Sequence, residues 1–394
     1  MRILITSSTY APARNGQAVF TTSLAEGMVR RGHEVWLLAP SDKRIPYRTE
    51  RSGVQIQTVR AFDLGFIHSE AYGALLPDLE VRKFFNSFQP DVVHIQEHHP
   101  LSRCALDAAR RRNIKVIGTN HFMPENLAHY VPLPAFLKPA FNRLLWSWMG
   151  WTFNSLDVVT APSRTAAEII RSQGLRVPVI PISCGVDPNQ FHPDPSVDRR
   201  AVLARYGLHQ DRTIFLFVGR VDTEKRVDVL IRAAKKLARD DIQLAVAGEG
   251  ADLPACQSLV RELGVEDRVR FTGFVPAVDL PALLNSVDYF AMPSEAELLS
   301  IASLEAMATG LPLLAARSQA LPELVDEGVN GFLFNPGDAD DACRCMSLLA
   351  DHPERRAEMG AASLKKVKPH SLENVLARYE ELYTQCAANG HQKV

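Results

Sequence analysis

Residues 293–312, PSEAELLSIASLEAMATGLP, decide the fold expected for this chain. They place two glutamates, Glu297 and Glu305, eight positions apart across a junction between a loop and a helix. Ser300 is a favourable N-cap, and the composition of residues 301–309 predicts a short helix that a following glycine and proline end. We therefore expect Glu297 in the loop beside the helix N-terminus and Glu305 one turn further along the helix.

The start of this helix is suited to phosphate. A helix N-terminus has unpaired N–H groups and a positive dipole, so the amides of Ser300, Ile301 and Ala302 are candidates for holding a diphosphate. Carboxylates instead accept hydrogen bonds from sugar or ribose hydroxyls, so the segment predicts a site for a phosphorylated sugar. The alternative is a surface helix with solvated glutamates, but the neighbours of Glu305 are apolar and a carboxylate among them needs a partner.

The order Glu-x7-Glu followed by Ala-Met-Ala-x-Gly-x-Pro resembles the signature of family 4 glycosyltransferases, which are retaining enzymes that use nucleotide sugars. The resemblance implies a GT-B fold of class α/β, in which two Rossmann-like parallel-sheet domains face a central cleft. It also implies a hexosyltransferase that needs no metal ion and no other cofactor, because the nucleotide sugar is its substrate.

The size and composition of the chain agree with two soluble domains. Its 394 residues are too many for one ordinary domain, and 46% are apolar and 23% charged. A net charge of −1 gives no signature of nucleic-acid binding. The opening MRILITSS leads directly into a strand-like pattern, and no apolar run reaches the length of a spanning helix. We expect a cytoplasmic protein and leave open its oligomeric state and a peripheral contact with the inner face of the membrane.

Strand-like and helix-like patterns alternate along both halves, which predicts parallel sheets covered by helices. The predicted strands are residues 2–8, 34–39, 54–59, 92–96, 115–119, 158–161, 213–218, 243–247, 269–272, 289–292 and 313–315. Further helices are predicted at residues 18–31, 227–237 and 372–386. A passage rich in Pro and His, residues 185–195, predicts a hinge or linker between the halves.

These patterns predict an N-terminal, acceptor-side Rossmann-like domain over residues 1–190. They also predict a C-terminal, nucleotide-sugar-binding Rossmann-like domain over residues 191–371. Residues 372–394 form a separate C-terminal helix, and the resemblance implies that it returns to the N-terminal domain, as the last helix of GT-B proteins often does.

The segment Gly219-Arg-Val-Asp-Thr-Glu-Lys225 follows a predicted strand and precedes a predicted helix, where backbone amides and basic side chains can meet a diphosphate. The planar guanidinium of Arg220 can bind two oxygen atoms at once, and the ammonium group of Lys225 acts as a mobile point charge. Family 4 enzymes have a similar Gly-Arg…Glu-Lys, whose cations neutralise the departing nucleoside diphosphate. The alternative is an ordinary solvated turn.

The turn after the first strand, residues 12–17 (PARNGQ), is the counterpart in the first domain. Family members commonly have paired glycines here, whereas this chain has Asn15 and Gly16, so only Gly16 is carried over as a donor-binding candidate. Asn15 also tolerates a left-handed backbone, so we expect the loop to keep its course. The turn lacks G-x-G-x-x-G, which counts against a dinucleotide-dependent oxidoreductase.

His121 follows a predicted strand and matches the cleft histidine of the family. A neutral imidazole there can hydrogen-bond a sugar hydroxyl or share the acceptor's proton, although many histidines only fill loops. Three further histidines lie in VVHIQEHHP, with a spacing that fits no standard zinc site. We interpret His94 as structural and place His98 and His99 at the edge of the cleft at most.

Two glycine turns follow strands of the second half, at residues 247–250 and 271–274. Gly273 in the second is a candidate for backbone contact with the nucleobase, and ordinary tight turns explain both equally well. The segment Asp338-Ala-Asp340 looks like the metal-binding DxD of another glycosyltransferase class. It lies in a Gly-containing loop and is predicted to cap the next helix, so we assign no metal ligand.

Residues 136–151, FLKPAFNRLLWSWMGW, combine three tryptophans with Lys138 and Arg143, as segments at a membrane interface do. We nevertheless expect most of the tryptophans to be buried and Pro139 to interrupt the helical pattern. The preceding order His-x3-Glu-x3-His-Tyr, residues 121–130, is similar to glycosyltransferases that act on diacylglycerol.

The resemblance assigns roles to the candidates. Glu305 would hold the ribose, Glu297 the sugar hydroxyls, and Arg220 with Lys225 the diphosphate, while His121 would lie at the reacting carbon. The residues assigned to catalysis are thus His121, Arg220, Lys225 and Glu297. UDP-glucose is the first choice of donor, and diacylglycerol or a glycolipid is the first choice of acceptor. The alternatives are a soluble sugar, sugar phosphate or polysaccharide acceptor, a nucleotide-sugar epimerase or phosphorylase on the same fold, and a nonenzymatic nucleotide-binding module.

Overall fold

A computed structural model describes residues 1–13, 15–63, 72–123 and 134–390. The chain divides into two compact units, the first made of Met1–Cys184 and Glu373–Val394 and the second of Gly185–Leu372. The C-terminal helix is therefore grouped with the first unit. The change from one unit to the next falls at Gly185, whose φ of +83° is a conformation that glycine adopts readily.

The described strands of the first unit are β1 (Arg2–Thr6), β2 (Glu34–Pro40), β3 (Arg48–Arg51), β4 (Val54–Val59), β5 (Ala61–Asp63), β6 (Tyr72–Ala74), β7 (Val92–Ile95), β8 (Lys115–Thr119), β9 (Val158–Ala161) and β10 (Val179–Pro181). Among these, eight form one sheet in the order β10-β9-β8-β7-β1-β2-β4-β3. Its pairs are parallel except for the antiparallel pair β3 and β4, and β5 pairs with β6 as a separate antiparallel ribbon.

The described helices of the first unit are α1 (Gly16–Arg30), α2 (Asp78–Ser87), α3 (Pro100–Arg110), α4 (Lys138–Phe153), α5 (Arg164–Ser172) and the C-terminal α13 (Leu372–Gly390), whose first residue belongs to the second unit. Helix α13 lies against α1, where Arg31 and His33 donate hydrogen bonds to Glu380 over 2.7 and 2.9 Å. Gly27 of α1 has no side chain because Leu376 occupies the space a Cβ would need.

All residues of the second unit are described. Its strands are β11 (Thr213–Val218), β12 (Ile242–Ala247), β13 (Val269–Gly273), β14 (Tyr289–Met292), β15 (Leu313–Ala316) and β16 (Gly331–Phe334). They form a fully parallel sheet in the order β13-β12-β11-β14-β15-β16. Its helices are α6 (Arg199–Arg205), α7 (Val227–Leu237), α8 (Leu253–Leu263), α9 (Leu280–Leu284), α10 (Ile301–Ala308), α11 (Ala339–Ala350) and α12 (Arg356–Val367).

The central strands are continuous buried runs rather than alternating ones. Every residue of β7, β12 and β14 is buried, as expected for parallel strands that carry helices on both faces. The predicted α/β class with two parallel-sheet units is therefore confirmed. Loops at the carboxyl ends of neighbouring strands meet at one edge of each sheet, and the candidate residues lie in these loops or in the elements that border them. Among the described residues, no helix is long and apolar enough to cross a membrane.

Candidate active site

Helix α10 begins where the sequence predicts. Ser300 is its N-cap, with the Oγ atom accepting hydrogen bonds from the backbone N–H of Ser303 at 3.2 Å and from its hydroxyl at 2.9 Å. The N–H groups of Ile301 and Ala302 precede the first helical hydrogen bond, so helix geometry gives them no intrahelical acceptor. These two amides are the ones that α10 offers to an anion.

Two predicted site residues from separate motifs are in contact. The Nζ atom of Lys225 donates to Oε1 of Glu297 at 2.5 Å, and the two side chains are only 18% and 11% exposed. Lys225 follows β11 and Glu297 follows β14, and these strands are neighbours in the sheet. Their loops are joined further by the backbone N–H of Glu295, which donates to the carbonyl of Glu224 at 3.0 Å. The contact thus follows from the strand order.

Arg220 is held by two acidic residues of its own loop. Its guanidinium lies 2.5 Å from the carboxylate of Asp222 and 3.5 Å from that of Glu224, and both acids are buried whereas the arginine is half-exposed. These pairs fix the direction of the guanidinium at the carboxyl end of β11. Arg220 was predicted from the sequence, whereas its two acidic partners were not.

Glu305 lies on the first turns of α10 among buried Leu304 and Ala306. Among the described residues, its carboxylate has no hydrogen-bond or ion-pair partner, and burial raises its pKa from 4.5 to about 8. A carboxyl group with such a pKa is largely protonated at neutral pH, so it can both donate and accept hydrogen bonds. That capacity suits vicinal hydroxyls better than it suits a cation.

Close backbone packing explains the glycines of the 247–250 turn. A Cβ on Gly248 would lie 1.8 Å from the carbonyl oxygen of Gly219, and one on Gly250 would lie 2.3 Å from that of Val221. The N–H of Gly248 donates to the carbonyl of Gly273 at 2.9 Å. Gly273 itself has a φ of +70° with open space where its Cβ would be, and its contact with a nucleobase stays a prediction.

In the first unit, Gly16 is the first residue of α1 and Asn15 is the N-cap. The Oδ1 atom of Asn15 accepts from the backbone N–H of Ala18 at 2.9 Å and from the hydroxyl of Thr9 at 3.2 Å. With a φ of −83°, Asn15 is extended, so its tolerance of left-handed backbone is not used here. Asparagine is present because its side chain caps the helix, which an extended N-cap residue does well.

His121 follows β8, and its Nε2 atom lies 2.8 Å from Oε1 of Gln96, which follows β7. Its ring is 4.9 Å from that of Phe20 on α1. Burial lowers the pKa of His121 to about 3, so the imidazole is neutral. Gln96 was not predicted from the sequence. It directly follows a buried strand, and the neighbouring strand is followed by a candidate residue. This position was the signal that could have indicated Gln96 as a site residue.

Glu97, the next residue, is buried and receives hydrogen bonds from the side chains of Gln17 and Ser102, the latter at 3.0 Å. Burial raises its pKa to about 7 against the opposing effect of these bonds. His98 is buried among aromatic rings, 4.7 Å from Trp148. It therefore packs against α4 in the interior, whereas the sequence allowed it a place at the edge of the cleft at most. Within the described part of the chain, no group of three or more His, Cys, Asp or Glu is arranged to hold a metal.

The aromatic segment forms helix α4, and Pro139 lies in its first turn, where proline is favourable, so it does not interrupt the helix. Trp146 is buried, but Trp148 and Trp151 are 38% and 58% exposed, as is Leu144 at 66%. The expectation that most tryptophans are buried is wrong, because α4 turns only one face to the sheet. The residues Glu125, His129 and Tyr130 of the preceding motif lie outside the described residues.

Asp338 caps α11, as predicted, by accepting hydrogen bonds from the backbone N–H groups of Asp340 at 2.9 Å and Asp341 at 3.0 Å. This geometry accounts for the Asp-Ala-Asp order without a metal ion. The need for a metal in the reaction remains a prediction of its own.

Comparison with known proteins gives two matches to family models. Residues 14–190 match the model described as Glycosyltransferase Family 4, and residues 198–366 match the model described as Glycosyl transferases group 1. Between them the models account for most of the chain. An alpha-monoglucosyldiacylglycerol synthase of Streptococcus pneumoniae is 25% identical over 100% of this chain and 88% of its own length.

A GDP-mannose-dependent alpha-(1-6)-phosphatidylinositol monomannoside mannosyltransferase of Mycolicibacterium smegmatis is 37% identical, over 53% of this chain and 57% of its own length. Among solved structures, sucrose-phosphate synthase from Thermosynechococcus elongatus superposes with a TM-score of 0.81 at 20% identity, over 98% of this chain and 99% of that one. At this identity the likeness concerns the fold alone, and it confirms the predicted GT-B fold.

Proposed function

Since this chain belongs to the family 4 glycosyltransferases, we propose that it transfers a hexose from a nucleotide sugar to a hydroxyl group of a membrane lipid, with retention of configuration. UDP-glucose is the first choice of donor, and diacylglycerol or a glycolipid is the first choice of acceptor. The observation that carries the proposal is the contact of Lys225 with Glu297 in the second unit, which also holds the start of α10.

The proposed donor site combines groups whose chemistry matches the separate parts of a nucleotide sugar. The amides of Ile301 and Ala302 and the cations of Arg220 and Lys225 would hold the diphosphate. Glu305, with its raised pKa, would exchange hydrogen bonds with the ribose hydroxyls. Backbone groups at Gly273, where no side chain obstructs, would meet the base. Gly16, the first residue of α1, stays a donor-binding candidate of the first unit.

Glu297 is the residue that we assign to binding the transferred sugar. Its Oε1 atom accepts a hydrogen bond from Nζ of Lys225, and the carboxylate oxygens can accept further hydrogen bonds from sugar hydroxyls. With a sugar held there, the Lys225 cation would lie next to it, where negative charge develops on the departing phosphate oxygen. One ion pair would thus serve both sides of the breaking bond.

In the reaction, the bond from the anomeric carbon to the phosphate oxygen breaks, and a bond to the acceptor oxygen forms on the same face. The acceptor's proton passes to the departing phosphate, which leaves as the nucleoside diphosphate. Arg220, Lys225 and the α10 amides stabilise the charge on that diphosphate, so the step is proposed to need no metal ion. Neutral His121 would hold a hydroxyl of the sugar or acceptor through hydrogen bonding.

A lipid acceptor is supported by the exposed side of α4, of which the Trp148 ring also packs against His98. Leu144, Trp148 and Trp151 are spaced four and three residues apart, so they lie on one side of the helix, and all are exposed. Arg143 is adjacent in sequence, and Arg103 lies 3.7 Å over the ring of Trp151. Exposed aromatic residues with neighbouring cations suit an interface with anionic lipid. The pneumococcal relative, named for diacylglycerol, adds support. We therefore propose a peripheral membrane contact, and the cytoplasm with the inner face of the membrane stays the location expected from the sequence.

The test is release of nucleoside diphosphate by purified protein from UDP-, GDP- and ADP-sugars, in EDTA, with and without vesicles that contain diacylglycerol. Release of one nucleoside diphosphate that depends on vesicles, with a glycolipid product, supports the proposal. Release that depends on soluble sugars instead rejects the lipid acceptor. Conversion of the donor to another nucleotide sugar without acceptor would identify an epimerase, and no turnover or binding of any donor would reject the proposal altogether.

A further inference from the structure

The imidazole of His121 is hydrogen-bonded to a buried network of polar side chains that the proposed reaction does not by itself require. Its Nε2 atom is 2.8 Å from Oε1 of Gln96, and the side-chain nitrogen of Gln96 is 3.3 Å from Nδ1 of His94 and 3.4 Å from its Nε2. Gln96 and His94 are both fully buried. Nearly equal distances to both ring nitrogens place this amide nitrogen over the face of the His94 ring, and the electron-rich face favours the N–H end of the amide over its oxygen end. The amide therefore keeps one orientation.

His94 is in turn held on both sides. Its Nδ1 atom is 2.7 Å from the hydroxyl of Tyr383, and its Nε2 atom is 2.7 Å from the hydroxyl of Thr119. Burial lowers the pKa of His94 to about 3, so the ring is neutral and carries one proton. One of its two nitrogens therefore donates and the other accepts. Tyr383 comes from α13, 289 positions away in sequence.

The proton positions at His121 follow from the amide. The Oε1 atom of Gln96 can only accept, so Nε2 of His121 carries the proton and Nδ1 does not. Among the described residues, Nδ1 of His121 has no partner, and the ring is only partly buried. The ring is thus prepared to accept a hydrogen bond from an incoming hydroxyl rather than to donate one.

We propose that Gln96, oriented through His94 by Tyr383 of the C-terminal helix, is a positioning residue that keeps His121 in its Nε2–H form with Nδ1 ready to accept a hydrogen bond from a substrate hydroxyl. The inference rests on the proposed function, since it presumes that His121 acts in the transfer. It gives α13 a part in the chemistry beyond its packing against α1. If this hydrogen-bonded network had only a structural role, disrupting it would lower stability without changing which nitrogen of His121 carries the proton.

The first measurement is the nitrogen NMR spectrum of protein with 15N-labelled histidine rings, in which the signals of His121 are identified by their loss in His121→Ala. We expect the wild type to show the Nε2–H form. Gln96→Met removes the accepting oxygen with little change in size, and we expect it to mix the two neutral forms. Its kcat should fall about tenfold, with the KM for the donor unchanged, as for a lost hydrogen bond that acts in the transition state.

Tyr383→Phe tests the end of the hydrogen-bonded network that is farthest from His121. It should lower kcat about threefold, because His94 loses one of its partners. The control is Thr384→Val on the same helix, because the Thr384 hydroxyl donates to the backbone carbonyl of Glu380 and not to the hydrogen-bonded network of His121. It should keep the wild-type kcat. The midpoint of thermal unfolding of each variant separates these effects from loss of structure.

An Nδ1–H ring in the wild type, or an unchanged ring in Gln96→Met, would overturn the positioning role. So would a wild-type kcat in Gln96→Met while His121→Ala is inactive, and that result would leave the proposed function intact. Full activity in His121→Ala would instead overturn the part given to His121 in the proposed function, and the positioning role with it.

Discussion

Nζ of Lys225 lies 2.5 Å from Oε1 of Glu297, and this pair joins two motifs that are 72 positions apart in sequence. Each motif was assigned on its own, one to the diphosphate and the other to the sugar. Their contact places the cation and the carboxylate at neighbouring points, as the two ends of a phosphate–sugar bond would require. Because both side chains are mostly buried, neither can be removed without affecting the other.

Lys225→Ala should lower turnover at least a hundredfold with the fold intact, because in the proposed reaction it removes the cation that stabilises charge on the departing diphosphate. The measurement is kcat at saturating donor, with circular dichroism to verify folding. Lys236→Ala is the control, since Lys236 forms an exposed ion pair with Asp340 and should keep wild-type turnover. Wild-type-like turnover in folded Lys225→Ala would contradict the site assignment.

The same substitution leaves Glu297 buried without its cation, which should lower stability by about 1–3 kcal/mol. Adding Glu297→Gln should restore much of that stability, because a neutral amide needs no counter-charge, while turnover stays low. Urea unfolding of the two single variants and the double variant measures this coupling. Additive stability losses would show that the pair is not coupled in solution.

Glu305 predicts a dependence of stability on pH. Burial raises its pKa from 4.5 to about 8, so between these values the unfolded chain releases a proton that the folded chain retains. Stability contributed by the protonated carboxyl is thus present below pH 4.5 and is lost as pH rises toward 8. Glu305→Gln should therefore match the wild type near pH 4.5 and unfold at a temperature a few degrees higher near pH 8.

Thermal scans across this range test the prediction, with Glu358→Gln on the exposed face of α12 as the control that should show no such trend. A constant difference between Glu305→Gln and the wild type at all pH values would refute the shift. Independently, Glu305→Ala should lower turnover at least a hundredfold if the carboxyl holds the ribose.

Gly248→Ala should destabilise the second unit by about 3 kcal/mol or more. The new Cβ would lie 1.8 Å from the carbonyl oxygen of Gly219, and a backbone atom in a packed turn cannot move aside as a flexible side chain can. Gly264→Ala is the matched control, since Gly264 also has a positive φ but open space around its Cβ, and should cost about 1 kcal/mol. Equal losses in urea unfolding would show that close approach at Gly248 is unimportant.

Leu144→Glu should weaken binding to vesicles of anionic lipid at least tenfold, because it places a charge on the exposed apolar face of α4. Sedimentation with vesicles measures the bound fraction. Val278→Glu is the control, as Val278 is 83% exposed in the second unit and should leave binding unchanged. If both variants bind like the wild type, α4 is not the membrane contact.

Most central strands could be read from the sequence because each is a short apolar run between turn residues. Strands β4, β8, β9, β11 and β14 have the predicted bounds. Strand β3 was missed, since its residues, Arg48–Arg51, are all exposed at the sheet edge and carry no apolar pattern. The exposure of Trp148 was also missed, because a helix with apolar residues on several sides does not reveal which side meets the sheet.

The sequence by itself determined the features that act over a few residues. The cap at Ser300, the helix after it and the cap at Asp338 depend on side chains within three positions, and these rules are local. Only the tertiary structure decided that Lys225 meets Glu297 and that Tyr383 reaches the strand that ends beside Gln96. Such contacts depend on the order of strands in a sheet and on where the last helix packs, which no local pattern specifies.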